Sequence, residues 1–248
     1  MGYEESKIEG RNAVLEAFRS GKTIDKLYVL DGCQDGPVKS ITREARKYDT
    51  IINYVAKERL DQLSETGKHQ GVIAVSAAYE YAEVDDILAA AEAKGESPFI
   101  IILDGIEDPH NLGAIIRTAN QAGAHGVIIP KRRAVGLTPT VARTSAGAIN
   151  YTPVAKVTNI SNTMKELKDK GMWFVCADMD GTRMYDLDLT GPIGLVIGNE
   201  GEGVSPLVKK NCDMVASIPM KGDIDSLNAS VATGVLAYEI VRQRMIKG

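Results

Sequence analysis

The sequence predicts an α/β protein of two units, and three observations carry that prediction. Short apolar runs alternate with segments of helical periodicity along almost the whole chain. Near residue 80 the composition shifts, where the acidic, alanine-rich stretch AAYEYAEVDDILAAAEAKGESP separates two such series. The runs that follow it, FIIILDG, GVIIP, MWFVCAD and IGLVIG, are apolar at nearly every position, as parallel strands covered on both faces must be. A chain of 248 residues, 44% hydrophobic and 25% charged, holds enough apolar material for two cores.

The first unit is predicted over residues 1–78. MGYEES fits a loose acylation pattern, but Glu4 and Glu5 would repel an anionic membrane, so it reads as a frayed terminus. IEGR (8–11) resembles a protease site, yet NAVLEAFRSG continues it as an amphipathic helix with Val14, Leu15 and Phe18 one turn apart. Then come a strand KLYVL (26–30), a helix over 37–48, and strands TIINYV (50–55) and GVIAVSA (71–77). Residues 79–97 read as a linker whose second half is helical, with Val84, Ile87, Leu88 and Ala91 on one face. The second unit, 98–248, takes its strands from 99–105, 126–130, 172–178 and 193–198.

Composition removes several function classes. A formal charge of -4 argues against a generally basic nucleic-acid coat, though not against a local basic groove. Cys33, Cys176 and Cys212 are far apart and odd in number, which predicts buried thiols in a reducing compartment. His69, His110 and His125 have no metal-ligand spacing, so no metal is predicted. No apolar run approaches the roughly 18 residues that cross a bilayer, and no signal peptide is visible; the reading is a cytoplasmic protein.

Three polar clusters follow strands of the second unit. In DGIEDPHNLGAIIRTANQAGA, Asp108 and Pro109 open a helix whose Leu112, Ile115, Ile116 and Ala119 form the buried stripe, with Arg117 opposite. Arg117 is either a solvated helix arginine or the neighbour of an anion site made by Asn111 and the free N–H groups of the helix start. In GNEGEG (198–203) the glycine order reverses that of a dinucleotide loop, there is no lysine, and two carboxylates occupy the turn, which disfavours a phosphate ligand. Its place after a buried strand is nevertheless where α/β sheets bind ligands. In SIPMKGDIDSLNASVATGVLAYEIVRQR, Asp225 or Ser226 can cap a long helix with Val231, Val235 and Tyr238 on one face, and Asn228 and Ser230 in its first turns.

In order, NLGAIIRTANQAGAHGV, LVIGNEGEGVSPLVKKNCDMVASIPM and SLNASVATGVLAYE resemble the three motifs of the SpoU/TrmH family of RNA ribose methyltransferases, within the SPOUT class. IEGRNAVLEAF and KHQGVIAV resemble the family's N-terminal RNA-binding domain, itself akin to a small ribosomal protein, and KRRAVGLTPTVARTSAGA fits the stretch after the first motif. The nearest likeness is to the bacterial branch that methylates a guanosine 2′-hydroxyl of large-subunit ribosomal RNA. The resemblance implies a parallel sheet threaded into a C-terminal trefoil knot, which no pattern argument would propose. It implies S-adenosylmethionine bound at Gly198, Ile218 and Leu227 with Met220 nearby, and a homodimer in which the partner chain borders each site. It implies that Arg117 holds the adjacent phosphate and stabilises the developing alkoxide, the acceptor of the proton staying open. Asn111, Glu200, Ser226 and Asn228 would position nucleotide and arginine, and Ser145 is a weaker candidate; Glu202 is assigned no role. RNA would be met by Lys131, Arg132 and Arg133, with Arg11 and His69 from the small unit. The alternatives are a tRNA ribose methyltransferase, a catalytically silent RNA-binding module, and a doubly wound oxidoreductase, the last disfavoured because DGIEDPHNLG stands where G-x-G-x-x-G is needed.

Overall fold

In the first unit the apolar runs become a four-stranded sheet. The chain runs β1 (Lys7–Glu9), α1 (Arg11–Arg19), β2 (Ile24–Leu30), α2 (Gly36–Lys47), β3 (Ile51–Val55), α3 (Lys57–Leu63) and β4 (Val72–Ser76). The strand order is β1-β4-β2-β3, with β2 and β3 parallel and the other pairs antiparallel. Strand side chains alternate between faces, so Leu27, Val29, Val72 and Ala74 meet Val14 and Phe18 of α1 and Val38 and Ile41 of α2 in one core. Leu60 of α3 and Ile73 are fully buried on the opposite face. The IEGR stretch is built in: Glu9 accepts hydrogen bonds from Glu65 N and Thr66 Oγ1, each at 2.6 Å, and so holds the turn after α3. Residues 7–223 and 226–247 are described by this computed structural model; MGYEES and the cap candidate Asp225 lie outside the described residues.

The second unit continues through α4 (Val84–Lys94), β5 (Phe99–Asp104), α5 (Pro109–Gln121), β6 (Gly126–Pro130), α6 (Pro139–Thr144), β7 (Val154–Val157), α7 (Ile160–Asp169), β8 (Trp173–Arg183), β9 (Ile193–Gly198), α8 (Pro206–Lys210), β10 (Met214–Ser217) and α9 (Ala229–Lys247). Contacts divide the chain into Met1–Glu80 with Gly136–Pro139, and Tyr81–Val135 with Thr140–Gly248. The six strands are parallel in the order β10-β8-β9-β5-β6-β7. Ile100, Ile102, Ile128, Phe174 and Val196 pack one face against Ile87 of α4 and Ile160, Met164 and Leu167 of α7. Each such side chain, fully withdrawn from water, contributes about 1.5–3 kcal/mol. Residues 84–94, inside the stretch read as linker, therefore form a helix seated in this core.

On the opposite face α5 packs against α9, burying Leu112, Ile115, Ile116, Leu236 and Ile240. The face of α9 read as apolar from Val231, Val235 and Tyr238 is not the buried one. Thr233, Leu236, Ala237 and Ile240 point inward, whereas Val231 and Tyr238 remain 49% and 51% exposed. Small residues let the helix lie close to α5, so a stripe of mixed size goes inside and the larger side chains face out.

His125 locks the start of the central strand. Its buried ring accepts a hydrogen bond from Phe99 N on Nδ1 (3.0 Å), so Nε2 carries the proton and donates it to Glu96 Oε2 (3.0 Å). Burial, against the pull of Glu96, holds the imidazole below its ordinary value. The unfolded chain takes up a proton as pH falls through about 6.5 and the folded chain resists, so this stability is present above that pH and lost below it. The melting temperature of the wild type should drop between pH 7.5 and pH 5.5 by more than that of His125→Gln, which does not titrate; equal drops would show that His125 does not carry the effect.

Candidate active site

β9 and β5 lie side by side in register from Phe99↔Ile193 to Asp104↔Gly198, so GNEGEG leaves the carboxyl edge in the middle of the sheet. The turn is organised by Asn199, whose Oδ1 accepts from Gly201 N (3.0 Å) and Glu202 N (2.6 Å) while its carbonyl accepts from Gly203 N (3.0 Å). Gly203 takes a positive φ of 68°, which bends the chain back onto Gly198. A Cβ at Gly198 would stand 2.0 Å from the carbonyl carbon of Gly203. These glycines serve a turn folded against its own strand rather than a phosphate cradle.

That turn delivers Glu200 to a junction of three segments. Asp108 caps α5 by accepting from His110 N (2.9 Å), Pro109 fills the first position, and Asn111 follows in the first turn. Asn111 Nδ2 donates to Glu200 Oε1 at 3.1 Å. Asn228 Nδ2 donates to the same oxygen and, at 3.0 Å, to Asn111 Oδ1. Asn228 Oδ1 accepts from Ser230 N at 3.0 Å, which makes Asn228, not Ser226, the cap of α9. The amide thus serves twice: its oxygen begins the helix and its nitrogen binds the carboxylate.

The turn is the wall between two cavities. One, of about 360 Å³, is lined by Gly198, Ile218, Met220, Ser226 and Leu227, with Asp178 and Met179 opposite. Asp178 accepts a hydrogen bond from Lys209 Nζ (2.6 Å), which holds its carboxyl below the ordinary range. The other, of about 590 Å³, is lined by Asp104, Asp108, Asn111, Arg133 and Ser205, and Glu200 and Glu202 line both. Apolar side chains for a flat ring, backbone brought close by Gly198, and carboxylates for an ammonium and a sulfonium suit S-adenosylmethionine in the smaller cavity. Among the described residues lining it there is no lysine for a triphosphate, and the nearby Lys209 is paired with Asp178.

The remaining sequence-predicted residues are scattered. Arg117 lies on the exposed side of α5, lines neither cavity, and has no hydrogen bond or ion pair among the described residues. Arg133 reaches the larger cavity, Arg132 is exposed, and Lys131 is half-buried, its backbone N–H donating to Val157 O. In the first unit Arg11 is held by Asp35 (2.7 Å) and by the carbonyl of Gln70 (3.0 Å). His69 is buried between Asp61 (2.9 Å) and Gly71 N (3.0 Å). Ser145 is fully buried and donates to Ala142 O, so its hydroxyl is spent within its own turn. Sequence reasoning missed Asn199, although Asn before a Gly-rich turn is a signal for a side-chain-organised bend, and it missed Asp178, which nothing local distinguishes. Among the described residues no group of three or more His, Cys, Asp or Glu could hold a metal ion, and no helix is long and apolar enough to cross a membrane.

Known proteins resemble this chain in sequence and fold. Residues 98–238 match the SpoU rRNA Methylase family, and residues 7–82 match the RNA 2′-O ribose methyltransferase substrate binding family. A Bacillus subtilis protein named as a TrmH family tRNA/rRNA methyltransferase, YacO, is 49% identical, the alignment covering 98% of both chains. The SpoU methyltransferase AviRb from Streptomyces viridochromogenes, solved in complex with the cofactor AdoMet, superposes with a TM-score of 0.62 at 28% identity over 98% of this chain and 91% of its own. The A. aeolicus TrmH/SpoU tRNA modifying enzyme gives a TM-score of 0.56 at 32% identity over 62% of this chain and 78% of its own. The second unit is thus the SPOUT methyltransferase fold, and the cofactor is S-adenosylmethionine. The chain belongs to the SpoU/TrmH family of RNA methyltransferases.

Proposed function

We propose that the protein methylates the ribose 2′-hydroxyl of a guanosine in large-subunit ribosomal RNA, in the cytoplasm and as a homodimer. The observation that carries the reading is the Asn111–Glu200–Asn228 junction standing between a cavity suited to S-adenosylmethionine and a larger one open to a polymer. The small unit's match to a 2′-O ribose substrate-binding family supports the hydroxyl as acceptor, and the ribosomal-RNA family of the large unit supports the RNA class. Bound there, S-adenosylmethionine supplies an electrophilic methyl group on a cationic sulfur. Glu200, held by two amides, places negative charge at the wall between the cavities and keeps the turn closed. Asn111 and Asn228 fix the start of α5 and α9 against that carboxylate, and Arg133 offers a phosphate contact on the RNA side.

Arg117 is proposed to hold a phosphate and stabilise the alkoxide as the proton leaves. Its position on the outer face of α5 supports a site completed by a second copy. α5 packs on α9, whose half-exposed Val231 and Tyr238 form an apolar face beside it. In such a pair each chain supplies Arg117 to the cavities of the other.

The relatives' tRNA/rRNA name keeps a tRNA ribose as the second reading. Incubating the protein with methyl-labelled cofactor and unmodified ribosomal RNA or tRNA, then mapping the product, decides between them. Label on a 2′-oxygen of a ribosomal guanosine is the expected result. Label in tRNA alone would overturn the substrate, and label on a base would overturn the reaction.

A further inference from the structure

The first unit contains a cavity that methyl transfer does not use. β2 and β3 run parallel and finish side by side at Leu30 and Val55. Residues 31–34 and α2 close over those ends and leave about 580 Å³, lined by Asp31, Gln34, Lys39, Thr42, Arg46 and Tyr54. The carboxyl ends of parallel strands are a recurrent ligand position in α/β sheets.

The lining has a distinct chemistry. Tyr54 stands on the edge strand, 52% exposed, and stacks on no other ring among the described residues. Lys39 and Arg46 form no ion pair or side-chain hydrogen bond among the described residues. With Arg43 they make a solvent-facing basic stripe along α2, in a chain whose net charge is -4. Asp35, a carboxylate outside the cavity lining, is already matched: it caps α2 through Val38 N (3.1 Å) and pairs with Arg11 (2.7 Å). Asp31 accepts from Gly32 N and keeps lone pairs for a hydroxyl or amino group. The apolar contribution is Val38, itself 1% exposed, so a hydrophobic peptide would find little to bury.

We propose that this cavity is a nucleotide subsite: one unpaired RNA nucleotide stacks its base on Tyr54, with its flanking phosphates on Lys39 and Arg46. Unpaired bases splayed onto aromatic rings, with cations along the backbone, are the common mode of single-stranded RNA recognition. Gln34 can address a base edge and Asp31 a ribose hydroxyl. The subsite rests on the reading that the first unit engages the RNA substrate. It makes that unit a selector of RNA that carries an unpaired nucleotide, in a loop or bulge, in addition to the methylated ribose.

The test uses the full-length protein, a single-stranded ribo-oligonucleotide carrying 2-aminopurine, and a ribosomal RNA transcript. Stacking on Tyr54 should quench the 2-aminopurine. Tyr54→Ala should remove the quenching and raise KM for the transcript about tenfold or more, in line with the loss of one stacked base. It should leave kcat and cofactor affinity unchanged, and Tyr54→Phe should restore both quenching and KM. Lys39→Ala with Arg46→Ala should flatten the salt dependence of RNA affinity by close to two phosphate contacts. A Tyr54→Ala protein with wild-type KM and quenching, or a Tyr54→Phe protein as impaired as it, would overturn the subsite alone. Tyr54-dependent quenching in a protein that methylates no RNA would instead overturn the proposed reaction and leave the subsite standing. Equal displacement of the probe by an acidic peptide would assign the cavity to a protein partner and overturn the nucleotide.

Discussion

Replacing Arg117 with alanine should lower methyl transfer by about 100- to 1000-fold, the scale on which removing one donor to a developing oxyanion acts. Cofactor affinity measured by calorimetry should stay that of the wild type, because Arg117 lines neither cavity in its own chain. Stability should hardly change, since the side chain is exposed and unpartnered among the described residues. The same geometry yields a sharper result. Asn228→Ala removes a donor to Glu200 and the cap of α9, and should itself be inactive. Mixing the two inactive proteins and allowing exchange should restore activity, because a mixed dimer contains one site with both groups intact. Full activity in Arg117→Ala would end its assignment to the reaction; two inactive variants that stay inactive when mixed as verified heterodimers would end the shared site.

A second large effect should follow from Gly198→Ala. The added methyl would meet Gly203 C at 2.0 Å, Gly203 O at 2.1 Å and Val204 N at 2.2 Å, all of them backbone with no rotamer to escape into. The turn must open, and it takes Glu200 away from Asn111 and Asn228. Overpacking of this kind costs roughly 1–3 kcal/mol or more, and cofactor binding should be lost to calorimetric detection. Gly201→Ala is the control, because its nearest neighbour would be Asn199 Oδ1 at 3.7 Å. It should bind cofactor as the wild type does. A Gly198→Ala protein that also binds normally would mean that the closed turn is not what shapes the cavity.

Much of this is legible in the sequence, for identifiable reasons. Phe99–Asp104, Gly126–Pro130 and Ile193–Gly198 announce themselves because central parallel strands are apolar on both faces. The start of α5 is written in Asp108 and Pro109, a cap and a first-turn proline. Val154–Val157 and Met214–Ser217 escape detection as strands, because four residues at a sheet's outer positions offer no period to detect. The face of α9 that goes inside is set by the packing of α5 on α9 and not by either helix by itself. Asn228 looks like one of several cap candidates; only the fold shows it bridging a helix start and a carboxylate that is 28 residues distant in sequence. The cavity under Tyr54 leaves no motif at all, since its walls come from a strand edge, a loop and one helix stripe.

The Glu200 junction also sets a timetable. Its members are 89, 28 and 117 residues apart along the chain, and the last of them, Asn228, precedes only the final helix. During synthesis Asn111 is made 117 residues, and Glu200 28 residues, before the amide that completes their bonds. A nascent chain halted after β10 and before Asn228 would own every strand of the sheet and still lack the amide that completes the junction. Competence therefore arrives in a single late step, when Asn228 joins the two groups that precede it.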